Sequence, residues 1–240
     1  MPRSLFCLLV LASTIFSPSC HRPRRVPISP PRHLYPIRGI DVSHHQQEID
    51  WEQVAAWDLT FVYMKATEGT TFTDPRFEVN WREAQVAGFD VGAYHFYSFC
   101  KGGAAQAQHF IKTVPRSAEA LPPVIDLEYY GNCELTLSKA DILAEINTMQ
   151  RLLTAHYGVK PVLYVGRQFY KDYLRNSFLD HELWIPNLSR EPLLDDERDW
   201  TLWQYTHTGL INGIGTAVDF NVFAGDSLAY EGFRMINAVE

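Results

Sequence analysis

Several features that would settle a protein's class are missing from this 240-residue chain. No Gly-x-Gly-x-x-Gly and no Walker loop follows any strand-like run, which argues against nucleotide binding. The nine histidines show no metal-ligand spacing, and neither Cys100 nor Cys133 has a Cys or His at finger spacing, so no metal site is expected. No apolar run is long enough to span a membrane, and no internal repeat is visible. Positive charge is scarce where nucleic acid would need it. Five of the 21 Lys and Arg (Arg3, Arg22, Arg24, Arg25 and Arg32) lie in residues 1–35, which hold no acid. Residues 36–240 therefore keep 16 basic residues against 28 acidic ones, a net of -12. Phosphate neutralisation needs clustered Lys and Arg, so nucleic acid is not expected as a partner.

Hydrophobic residues make up 46% of the chain and aromatics 13%. That is enough for a full core and excludes a disordered or collagen-like chain. The length fits one domain near 200 residues behind a leader. In residues 1–20, Arg3 precedes a 12-residue apolar run, Leu5–Phe16, followed by the small residues Ser17, Ser19 and Cys20. This is the pattern of a signal peptide, and the chain is expected to be exported to the periplasm, the cell surface or the medium. Cys20 is a candidate for lipid attachment, with simple cleavage the alternative. Residues 21–35, rich in Pro and Arg, read as a stiff solvated linker. Residues 36–240 read as the folded domain, expected to be a monomer. In an exported chain Cys100 and Cys133 are candidates for a disulfide, with two free thiols the alternative. Each lies just past a strand-like run. Neighbouring parallel strands are ~4.8 Å apart, so loops leaving one face can bring two Cα atoms within the ~4.4–6.8 Å that a bridge needs.

The hydrophobic period alternates between strand and helix. Strands are predicted at 37–43, 59–66, 91–97, 123–128 and 161–165, and helices at 50–57, 75–87, 103–112, 138–156 and 168–175. Three further strands, 183–186, 201–205 and 217–220, are separated by segments 187–200 and 206–216 that have no helical face and read as loops or hairpins. Five strand–helix units followed by three helix-poor strands predict an α/β fold, a modified TIM-like barrel, with an open doubly wound sheet as the alternative.

In such a barrel the active site lies at the strands' C-terminal ends. The acids there are Asp41 on the first strand, Asp126 and Glu128 on the fourth and Asp219 on the eighth. Asp126 and Glu128 are two apart and face the same side, while Leu127 faces the helices. Two carboxyls in one small pocket repel, so at least one should hold its proton to higher pH, as a general acid must. Paired carboxyls of this kind are the equipment of glycoside hydrolysis. An isolated Asp-x-Glu at a strand end more often caps a loop; four acids on three strand ends raise the catalytic reading. Aromatics gather at the same rim: Tyr94, Tyr97, Tyr129, Tyr164, Trp184, Trp203 and Tyr205. They divide between barrel core and a wall on which sugar rings stack. His44, His45 and His95 are candidates for pocket or hydrogen-bonding roles.

A set of short motifs occurs in order: Gly39-Ile-Asp-Val-Ser43, Ile49-Asp-Trp51, Lys65-Ala-Thr-Glu-Gly69 with Thr73-Asp-Pro75, Ala87-Gly88, Gly92-Ala-Tyr-His-Phe96, Asp126-Leu-Glu128, Leu202-Trp-Gln-Tyr205 and Val218-Asp-Phe-Asn221. Each is weak alone. Together, over about residues 37–225, they resemble glycoside hydrolase family 25, the Chalaropsis-type lysozymes. The resemblance implies hydrolysis of the β-1,4 bond between N-acetylmuramic acid and N-acetylglucosamine in the glycan strands of peptidoglycan, with retention of configuration and with no cofactor. By motif position Glu128 matches the proton donor, Asp126 the partner carboxylate, and Asp41 and Asp219 two further acids of the groove. Tyr94, Trp203 and Gln204 match substrate-binding wall positions, and Tyr164 does so less closely. Asp126 is then either the nucleophile or the stabiliser of an intermediate formed by the substrate's own acetamido group. Cys100, Cys133 and Pro186 depart from the pattern, and no wall-binding repeats follow within the 240 residues. An inactive glycan-binding barrel and a chitinase-like hydrolase remain as alternatives. The first is opposed by the intact Asp126–Glu128 pair. The second is opposed by Leu121-Pro-Pro-Val-Ile before Asp126, where one chitinase family carries two more acids.

Overall fold

The computed structural model describes residues 29–235; the signal segment, Cys20 and residues 21–28 of the linker lie outside the described residues. The elements in order are β1 (Arg38–Val42), α1 (Trp51–Ala55), β2 (Phe61–Glu68), β3 (Phe72–Thr73), α2 (Phe77–Val86), β4 (Asp90–Phe96), α3 (Gly103–Thr113), β5 (Val124–Leu127), α4 (Lys139–Tyr157), β6 (Val162–Val165), α5 (Arg167–Phe169), β7 (Leu183–Pro186), β8 (Leu202–Gly209), β9 (Val218–Phe223) and α6 (Ser227–Met235). The sheet runs β1-β9-β8-β7-β6-β5-β4-β2, and a parallel β1–β2 pairing closes it into an eight-stranded barrel. That closure excludes the open sheet. The short β3 adds to β2 outside the ring.

Each parallel strand splits its residues by period two. Outward side chains such as Val62, Met64, Ile125, Leu127 and Leu163 join Phe110, Ile142, Ile146 and Met149 of the helices in one layer. Inward side chains Phe61, Tyr63, Val162, Leu202 and Phe223 fill the barrel. Gly39 and Gly92 make room for them, since a Cβ there would overlap the rings of Phe61 and Tyr63. Capping follows the sequence: Asp50 accepts from the Gln53 backbone N–H at 3.1 Å to open α1, and Ser138 accepts from that of Asp141 at 3.2 Å to open α4. Gly158 closes α4 in the left-handed region, φ 81°.

Three elements differ from expectation. β9 runs antiparallel to both neighbours, and β8 continues to Gly209, so the segment 206–216, read from sequence as a loop or a hairpin, is the hairpin that joins β8 to β9. The helix expected at 168–175 is one α turn that widens into a π turn over Tyr170–Leu174. Helix α6 was not predicted; its Tyr230 and Phe233 pack on Phe61 and Phe223 and plug the barrel floor.

Among the described residues, no helix contributes to the cluster on the outer face of β8 around Trp203 and Tyr205. The segment before β1 does so instead. Tyr35 is buried, with its ring 5.9 Å from that of Trp203 and 6.0 Å from that of Trp200. The Arg38 guanidinium donates to the Pro30 carbonyl, and Arg32 pairs with Asp58. The packed part of the chain thus begins before residue 36, where the sequence placed the linker's end.

Candidate active site

A cavity of about 690 Å³ opens at the C-terminal ends of the parallel strands. One wall is β5, whose Val124 and Asp126 alternate inward together with Glu128 just beyond the strand. Asp126 is buried and hydrogen-bonded to Glu128, and its Oδ1 has no partner among the described residues. Burial pushes the Asp126 carboxyl well above the usual range; the negative charge of Glu128 adds to this and the ammonium of Lys65 opposes it. Burial also raises Glu128, while its hydrogen bond from Asp126 pulls it back. Such a pair retains one proton between its members. Lys65 is held 2.6 Å from Glu68 and 4.9 Å over the Phe96 ring.

The backbone beyond Glu128 is braced. The Asn132 side chain donates to the Glu128 carbonyl at 3.1 Å and accepts from the Phe99 backbone N–H at 3.0 Å. One residue on, Cys133 is bridged to Cys100 by the expected disulfide, Cα atoms 6.2 Å apart.

The opposite wall comes from β1, β9 and β8. Asp41 and Asp219 are paired across β1 and β9, and Gln204 is paired with Asn221 across β8 and β9. Asp41 Oδ2 accepts from Asn221 Nδ2 at 2.7 Å and from Gln204 Nε2 at 3.0 Å. Burial raises the Asp41 carboxyl against these bonds. Asp219, hydrogen-bonded to Asp41, is pushed up to about 9 by burial and then by the Asp41 charge. The sequence placed Asp219 at a strand's C-terminal end. It lies instead near the start of β9, and reaches the same rim because β9 is antiparallel.

Asp41, Asp126, Glu128, Asp219, Tyr94, Tyr164 and Gln204 are brought together around the cavity. Burial lifts the hydroxyls of Tyr94 and Tyr164 well above the usual tyrosine value, and the surrounding carboxyls add to it. Trp203 is not among the lining residues. Adjacent positions on a strand face opposite ways, so with Gln204 inward Trp203 turns outward to Tyr35 and donates to the Asn187 carbonyl at 2.8 Å. Tyr97 packs in the helix-side layer, Tyr205 packs beside Trp203, and Tyr129 donates to Asp172 at 2.8 Å. His44 pairs with Asp74 at 2.7 Å, and buried His95 sits between Thr67 and Gln106, its ring lowered to about 3 by burial. Trp184 lines the cavity, and so do Tyr130 and Leu188 on loops at its mouth and His207 on β8. Nothing in the sequence singled out these three, since they lie beyond the strand ends that the sequence predicts. Among the described residues no group of three or more His, Cys, Asp or Glu is arranged to hold a metal ion.

The family model for glycosyl hydrolases family 25 matches residues 40–214. A family 25 glycosyl hydrolase from Bacillus anthracis superposes with a TM-score of 0.79 at 39% identity, covering 84% of this chain and 94% of that one. Lysozyme M1 of Streptomyces globisporus is 31% identical over 80% of this chain and 69% of its own length. The protein YegX of Escherichia coli O6:H1, described as uncharacterized, is 34% identical over 87% of this chain and 75% of its own.

Proposed function

The chain belongs to glycosyl hydrolases family 25 and is a glycoside hydrolase, and on that premise we propose that it is a muramidase. It cleaves the β-1,4 bond between N-acetylmuramic acid and N-acetylglucosamine of peptidoglycan, with retention of configuration, and it works where that polymer lies, outside the cytoplasm. The observation that carries the reading is the Asp126–Glu128 pair, one buried and one partly buried carboxyl on one inward edge at the end of β5, which share a hydrogen bond and line the cavity.

The acetamido N–H of the muramic acid residue donates to the Asp126 carboxyl where it lines the cavity. Once it binds Asp126, the ionised form of Asp126 is favoured and the shared proton passes to Glu128. Glu128 then protonates the glycosidic oxygen as the bond to the anomeric carbon breaks. The acetamido oxygen attacks that carbon from the opposite face, and Asp126 offsets the positive charge of the bicyclic intermediate. Water, losing a proton to Glu128, opens the intermediate from the original face, so configuration is retained overall. No metal or cofactor takes part in these steps.

Mass spectrometry of fragments released from purified peptidoglycan tests the bond assignment. Muramic acid at the reducing ends is the expected result, and N-acetylglucosamine there would overturn it. A thiazoline mimic of the bicyclic intermediate should inhibit the enzyme; a covalent glycosyl adduct trapped on Asp126 would replace the acetamido route with direct attack.

A further inference from the structure

In the wall opposite Glu128, two amide side chains are oriented by aromatic partners. Asn221 is fully buried, and its Oδ1 accepts from Trp184 Nε1 at 2.9 Å. An indole N–H can only donate, so it fixes which end of the amide faces it. The Asn221 Nδ2 is thereby turned to Asp41 Oδ2, 2.7 Å away. Gln204 meets the same oxygen and takes the Tyr164 hydroxyl on its Oε1 at 3.0 Å. A tyrosine hydroxyl can donate or accept, so Trp184 is the stricter of the two orienting groups.

Two N–H donors on one carboxylate oxygen favour negative charge there. Asp41 and Asp219 occupy paired positions on β1 and β9 and are hydrogen-bonded to each other. A proton held between them therefore rests on Asp219. We propose that Asn221, oriented by Trp184, is a positioning residue that fixes Asp41 as the ionised carboxylate of the cavity and leaves Asp219 as its protonated partner, which gives its one O–H to Asp41 and keeps its other oxygen to accept from a sugar hydroxyl. The inference rests on the muramidase reading and deepens it. Asp219 holds substrate, and the second pair is not a second acid–base couple. The groups that face Asp41 are Asp219 from β9, Asp126 and Glu128 from β5, and the hydroxyls of Tyr94 from β4 and Tyr164 from β6. The charge of Lys65 on β2 bears on Asp126 and Glu128.

The test uses Trp184→Phe and Asn221→Leu. Trp184→Phe removes one N–H and keeps a ring against Tyr63 and Tyr164, whose centroids lie 5.1 and 5.2 Å away. It therefore serves even if Asn221→Leu does not fold. Carboxyl titrations are followed by NMR on protein with 13C-labelled aspartate, and kcat and KM are measured across pH on soluble glycan fragments. In both variants the first proton loss of the Asp41–Asp219 pair should move up by about one pH unit. On the acid side of that titration kcat/KM should fall by up to about tenfold and recover toward neutral pH. An unmoved titration in Trp184→Phe, or an equal loss at every pH, overturns the proposal. If the unaltered enzyme releases no muramic acid reducing ends, the muramidase reading fails, and the NMR titration still decides the inference on its own.

Discussion

The two carboxyl pairs that face each other across the cavity are built in opposite ways. Asp126 and Glu128 come from β5 and the residue just beyond it, two apart, and Asp126 keeps a buried oxygen without a partner among the described residues. Asp41 and Asp219 come from paired positions on adjacent strands, and one Asp41 oxygen takes two amide N–H groups held by aromatic partners. A carboxylate saturated by the protein is fixed in place and in charge. One whose side-chain partner is a second carboxyl can exchange its proton with it. The first pair is thus suited to reaction and the second to holding. Their outer supports differ as well. The β5 side has helices, the Asn132 bracket and a disulfide, whereas β8 has a strap of chain ending in Tyr35.

Substitutions that break this contrast are ordered by expected effect. Glu128→Gln keeps the shape and loses the proton, so activity should fall at least ~100-fold while the melting temperature and glycan binding stay nearly constant. Near-normal turnover would remove Glu128 from its role. Asp126→Asn should be severely impaired, whereas Asp219→Asn should lose less than about tenfold, because an amide copies the neutral acid. Equal losses in these two variants would erase the distinction between the pairs.

The same Asp219→Asn variant has a stability signature. The Asp219 carboxyl is raised to about 9, above its value near 4 in the unfolded chain. Between those limits the folded state binds more protons than the unfolded one, so this group's contribution falls as pH rises through that window. Asparagine does not titrate, so the variant should gain melting temperature relative to the parent at pH 8 and not at pH 4. The smallest effect on activity is expected at the strap. A chain beginning at Ser29 should match the parent. One beginning at Pro36, which lacks Tyr35, should remain active but melt on the order of 5 °C lower; identical melting curves would show that the cover on β8 contributes nothing.

The helix-clad arc was legible because two periods coincide there: inward and outward alternation along each strand, and apolar spacing along each helix. The segment 206–223 was less so, since nothing local to Val218–Phe223 states the direction of its strand. Helix α6 left a signal that was not used: Asp226 accepts from the Ala229 backbone N–H at 2.9 Å as a cap, and Tyr230 and Phe233 stand at helical spacing. In the site, the acids were found because charge at strand ends is unusual. Trp203 and Gln204 could not share one wall, and period two already said so. Asn221 stood in a quoted motif, yet its role depends on an indole 37 residues earlier, a proximity that only the closed ring creates.

The route of the chain into the barrel gives the molecule a front and a back. Residues 30–35 and Arg38 lie at the N-terminal ends of the strands, beside the floor plugged by α6, while the cavity opens at the other pole. The described chain therefore enters the domain at the pole opposite the cavity mouth, and the point of entry leaves that mouth clear.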